Sequence, residues 1–171
     1  MRIRILYLLF FILIFCNCNG QQVEKTEAGN TKEHTFQMVS VPSVITEPEE
    51  RAAYLVKHYW DKFDFTDTTL IHFPEITEQA TSNYIDMMKY VPAKVAASSI
   101  KEMMSKASTD SSMFVYFSGL YEKYLYDPNS PMLNEEFYLP VLKYIVNSER
   151  VGEIDKMRPA FRLEMTLKNR V

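Results

Sequence analysis

Apolar side chains recur three and four residues apart through most of the chain beyond Thr46, the spacing that gathers them on one face of a helix. The densest case is the stretch from Asp110 to Tyr126. Met113, Phe117, Leu120 and Tyr124 form one stripe there, and Phe114, Tyr121 and Leu125 a second beside it, so the pattern predicts a central helix buried against two sets of neighbours. Ser118 and Gly119 interrupt it with small side chains. Close approach of a neighbouring helix is expected at that point, at a propensity cost of roughly 1 kcal/mol for the glycine relative to alanine.

The same spacing predicts five further helices. A first runs from a Thr46 cap, with Pro48 in its first turn, to about Phe63, and buries Ala52, Leu55, Val56, Tyr59 and Phe63. Residues 64–73 read as a loop. Pro74 opens a helix with Ile76, Ala80, Tyr84, Met87, Met88 and Val91 on one face; Pro92 ends it and opens the next, which buries Val95, Ala96, Ile100, Met103 and Ala107. After the central helix, Asp127-Pro128-Asn129-Ser130-Pro131 cannot continue a helix and predicts a defined turn. Asn134, Glu135 and Glu136 open a fifth helix with Val141, Leu142 and Ile145 inward, and Pro140 either kinks it or marks its true first turn. A last helix, from about Gly152 to Lys168, places Ile154, Met157, Phe161 and Met165 on a core stripe and bends at Pro159. The expectation is an all-α fold, a single compact bundle of about six helices over residues 47–171.

Composition agrees with packed helices: 11 Tyr, 11 Phe and 10 Met stand against only 4 Gly in 171 residues, which leaves little material for tight sheet turns. Residues 19–46 are polar and aperiodic and read as a flexible linker. Ahead of them, Arg2 and Arg4 precede the apolar run Ile5 to Phe15, too short for a bilayer that needs about 20 residues, so residues 1–18 have the layout of a signal peptide. The run ends at Cys16-Asn17-Cys18. A cysteine at that point fits a lipoprotein leader acylated at Cys18 or at Cys16, which makes the membrane a partner through an N-terminal lipid anchor. The address is then the cell envelope, periplasmic or attached to the outer membrane; a plain signal peptide with passenger cysteines is the alternative. Both cysteines lie in this segment, so the folded part is expected to hold neither a disulfide nor a reactive thiol. Without Arg2 and Arg4 the 19 basic residues fall to 17 against 22 acidic ones, and no basic patch is interleaved with aromatics, which excludes nucleic acid as a partner.

No constellation of a known chemistry stands out. His34, His58 and His72 lack a second ligand at zinc spacing, and Asp61, Asp64 and Asp67 fit loop capping better than a calcium loop, which alternates its ligands and turns on a glycine. Met87-Met88 and Met103-Met104 contribute to apolar stripes rather than to a copper site. Ser118-Gly119 lacks a nucleophile elbow, and the adjacent Glu135 and Glu136 diverge by about 100° on a helix. No metal, cofactor or catalytic set is expected, and the chain reads as no enzyme. Tyr116, Tyr121, Tyr124, Tyr126, Phe137, Tyr138 and Tyr144 gather around the Asp127–Pro131 turn as an aromatic corner, either a recognition surface for a partner, peptide or small ligand or simple core packing.

The segments YLYDPNSPMLNEEFYLPVL (Tyr124 to Leu142), FPEITEQ (Phe73 to Gln79) and MRPAFRLEMTLKNRV (Met157 to Val171) resemble a helical domain of unknown function in Gram-negative bacterial lipoproteins. In those proteins it precedes a thioredoxin-like domain of the AhpC/TSA redoxin type. The resemblance covers Glu47 to Val171 and implies an accessory or interaction module whose partner is a thioredoxin-like domain or another envelope protein. The alternative it implies is the front half of a thiol-disulfide oxidoreductase. The C-x-x-C motif of the redox domain has no counterpart in this chain, so that activity transfers to no residue here.

Overall fold

Residues 35–169, the part that the computed structural model describes, contain six α-helices and two short 3₁₀ helices. The α-helices are α1 (Pro48–His58), α2 (Pro74–Met87), α3 (Ala93–Ala107), α4 (Ser111–Leu125), α5 (Glu135–Asn147) and α6 (Glu153–Lys168), and among the described residues there is no strand. The leader of residues 1–18, with Cys16 and Cys18, and the linker as far as residue 34 lie outside the described residues.

α4 and α5 start where the sequence supplies a side-chain cap, whereas the Thr46 cap expected for α1 is not one: that helix begins a residue later, with Glu47 at its N-cap and no side-chain cap bond. The Asp110 carboxylate accepts from the amides of Ser112 and Met113 at 2.8 and 3.0 Å, and Asn134 Oδ1 accepts from the Phe137 amide at 3.1 Å. Pro48 and Pro74 stand in the first turns of α1 and α2, where a missing N–H leaves nothing unpaired. Pro140 and Pro159 lie inside α5 and α6, and neither ends its helix. The turn after α4 is built from its own side chains. Asp127 accepts from the Asn129 amide at 2.8 Å, and the Ser130 hydroxyl donates to the Tyr124 carbonyl at 2.6 Å.

Four expectations need correction. The first helix stops at His58, and the i→i+3 turns that follow roll Tyr59 and Trp60 into the core. There Trp60 meets Phe117 edge-on at 5.4 Å, with Phe63, Phe65 and Tyr84 around it. Burying these rings outweighs continuing the helix. The presumed loop contains a 3₁₀ helix, Thr68–His72, capped by Asp67, whose carboxylate accepts from the Thr69 amide and hydroxyl. Packing also begins ahead of residue 47: Phe36 stacks on Tyr59 at 4.9 Å, and Lys62 Nζ donates to the Met38 carbonyl at 3.4 Å. The end of the linker is thus strapped to the domain. Finally, no helix closes on Gly119, where a Cβ would meet nothing within 4 Å.

The centre is shared rather than held by α4 alone. α5 packs most extensively on α3 and α6, α3 also touches α1 and α4, and α4 touches α2 and α5. Met88, Met103 and Met104 are fully buried, the core filling expected of the methionine pairs, with Met87 packed at its edge.

Candidate interaction surface

The aromatic corner does not form one face. Tyr121 is fully buried and Tyr138 nearly so, which removes both from any recognition surface. The other five are half-buried, and their positions divide into three seams. Toward α2, the Tyr116 hydroxyl bonds Thr77 Oγ1 at 2.7 Å, and Tyr124 donates to Glu78 at 2.7 Å. Glu78 also pairs with Lys123, and these two hydrogen bonds hold its carboxyl below the ordinary value. Burial, together with the anionic Glu78, pushes the Tyr124 phenol up to about 12. At the other end of α4, Phe114 lies 6.3 Å from Tyr144, whose hydroxyl bonds Ser108 at 2.7 Å. Phe137 packs against the core.

The third seam fixes the orientation of α6. Arg162, 8% exposed, donates to Glu122 of α4 at 2.6 Å and to the Tyr138 hydroxyl of α5 at 3.2 Å, and its guanidinium lies over the Tyr126 ring at 4.3 Å. Tyr126 and Tyr138 in turn meet at 5.3 Å with their rings tilted by 30°. The hydrogen bond from Arg162 is the main reason that the Glu122 carboxyl sits below its usual value. With Arg162 and Thr166 turned inward, the face of α6 expected to be core points to solvent. Ile154 is 83%, Met157 71%, Phe161 64% and Met165 41% exposed, a correction to the predicted stripe. The spacing was helical as expected; which side of the helix the domain would take was not in it.

A groove of about 770 Å³ runs elsewhere, between α3 and α5. Ser98, Lys101 and Ser105 line one wall, Lys143 and Tyr144 the other, with Arg150 at the end. Arg150 is partly occupied, since it donates to the carbonyl and hydroxyl of Ser108 at 3.2 Å each. Of the aromatic corner only Tyr144 reaches this groove. Among the described residues no three His, Cys, Asp or Glu side chains stand together as a metal site.

Residues 16–169 match the family described as a domain of unknown function, DUF5106. The chain belongs to that family. None of the curated proteins matches it. The DUF5106 chain is also similar to the crystal structure of a thioredoxin-like protein from Bacteroides caccae, with 48% identity and a TM-score of 0.78. The similarity covers 81% of this chain and 50% of that one, so the DUF5106 chain spans about half the length of its thioredoxin-like relative. Sequence reasoning had no handle on Arg162 as an anchor. A basic residue between apolar stripe positions reads as solvated, and only the aromatic pair Tyr126 and Tyr138, brought opposite by the Asp127–Pro131 turn, gives it a place to be buried.

Proposed function

We propose that this DUF5106 chain is a non-catalytic, exported helical accessory module that works with a thioredoxin-like domain. The observation that carries the reading is its 48% identity to half of a thioredoxin-like protein. The sequence has no cysteine beyond Cys18, so thiol chemistry in such a pair belongs to the other half. The layout of residues 1–18, ending in Cys16-Asn17-Cys18, supports an envelope lipoprotein. Two assays test this reading. In thiol-disulfide exchange the purified chain is expected to give no turnover, and turnover would overturn the non-catalytic role. Fatty-acid labelling is expected in the wild type and to be lost in Cys18→Ala; unchanged labelling rules out that cysteine and turns attention to Cys16.

The half-length coverage also favours a second reading, in which the domain is the front half of a thiol-disulfide oxidoreductase and positions substrates for its redox half. It predicts that joining the two raises kcat/KM for a disulfide substrate over the redox half alone. Equal values would leave the accessory role without a share in substrate handling.

A further inference from the structure

We infer that the exposed stripe of α6, formed by Ile154, Met157, Phe161 and Met165, is the face on which the thioredoxin-like domain docks; this rests on the accessory-module reading above. The four side chains follow one another at three- and four-residue steps over about 16 Å of helix. They have the composition of an interface centre, with one aromatic, two methionines and no charge. Charges border the stripe as a rim: Arg158 on one flank, and on the other Glu164, paired with Lys168 at 2.7 Å. The helix behind it is held in register by Arg162 on Glu122, Tyr138 and Tyr126, so the stripe is presented on a braced element.

Two observations point to the occupant. The Bacteroides caccae protein shares this helical half at 48% identity and is twice as long as the part matched, and the described residues here contain no strand. Its thioredoxin-like part therefore belongs to the other half. α6 ends at Lys168, three residues past Met165, so a domain joined behind it emerges at the end of this stripe. A lipid surface fits less well: α6 carries Lys156, Arg158, Arg162 and Lys168 beside its acidic residues, but each of these cations is already paired with a carboxylate, so no basic flank is left for an anionic membrane.

The test places a photo-crosslinking residue at Phe161 of the full chain in its own cells, with a second probe at the exposed Val115 of α4, and identifies the adducts by mass spectrometry. The expected result is peptides of a thioredoxin-like domain bearing C-x-x-C at 161 and not at 115, lost when Met157→Asp is added. An unchanged melting temperature in Met157→Asp shows that the loss is not unfolding. Adducts to a second copy of the chain, to other envelope proteins, or none at 161 overturn the docking face. A thioredoxin-like adduct at 115 alone sinks the face while leaving the accessory reading in place; thiol turnover by the chain sinks that reading whichever adducts form.

Discussion

At the scale of residues, the domain is held at α6 by one nearly buried cation. Arg162 combines an ion pair, a hydrogen bond to a phenol and a stacked ring, and truncating it removes all three at once. The Glu122 left behind is 40% exposed and can rehydrate, so the loss falls short of that for a fully buried pair. Arg162→Ala is expected to cost about 1–3 kcal/mol in chemical denaturation. The same contact makes the stability depend on acid. Glu122 and Glu78 both have folded values below the ordinary 4.5, so their contributions are complete above 4.5 and are lost as the pH falls through the lower folded values. The wild type is expected to lose stability below pH 4.5, and Arg162→Ala to lose less over that range; equal slopes in the two proteins would contradict the pairing. Tyr121 is the opposite case, a phenol wholly buried with no partner for its hydroxyl among the described residues, which burial keeps protonated. Since an unsatisfied buried hydroxyl is costly, Tyr121→Phe should be neutral or stabilise by about 1 kcal/mol, and a loss of stability would reveal a partner.

At the scale of elements, caps and prolines were readable because they act locally. Asn134 caps the helix it was expected to open, Pro48 and Pro74 stand in the first turns expected of them, and the Asp127–Pro131 turn closes on its own hydroxyl and carboxylate. What was not readable depends on distant partners. The end of α1 is decided by where Trp60 finds Phe117, fifty-odd residues on, and the strap at Phe36 by rings on that same turn. Gly119 shows how a local rule misleads. A small residue in an apolar helix is the usual mark of close packing, yet here it lies on the exposed side of α4 with open space where a Cβ would stand. Gly119→Ala is therefore expected to stabilise the domain by about 0.5–1 kcal/mol, through helix propensity alone, and a loss of similar size would mean that a partner covers this side of α4.

At the scale of the whole molecule, the distinction that matters is between a stripe that makes the core and a stripe that waits for a surface. Periodicity cannot separate them, because both place apolar residues at the same steps, and for α6 the periodic reading took the outer face for the inner one. The inward faces of the other five helices are those expected, although the first of them stops short at His58. α6 offers a second solution, in which Arg162 reaches two tyrosines and a glutamate while Leu163 and Thr166 fill the contact with its neighbours. The two arrangements make opposite predictions for Phe161. If it were core, Phe161→Ser would cost about 3–5 kcal/mol, as for other large aromatics removed from a packed interior. With α6 set by Arg162, Phe161 is 64% exposed and its loss should change stability by less than about 0.5 kcal/mol, while Phe117→Ser at the Trp60 cluster takes the full loss. Equilibrium unfolding of the two variants side by side decides the matter: similar losses would mean that α6 is turned the other way. A large loss at 117 with none at 161 fixes the apolar stripe on the outside, where it is free to be bound.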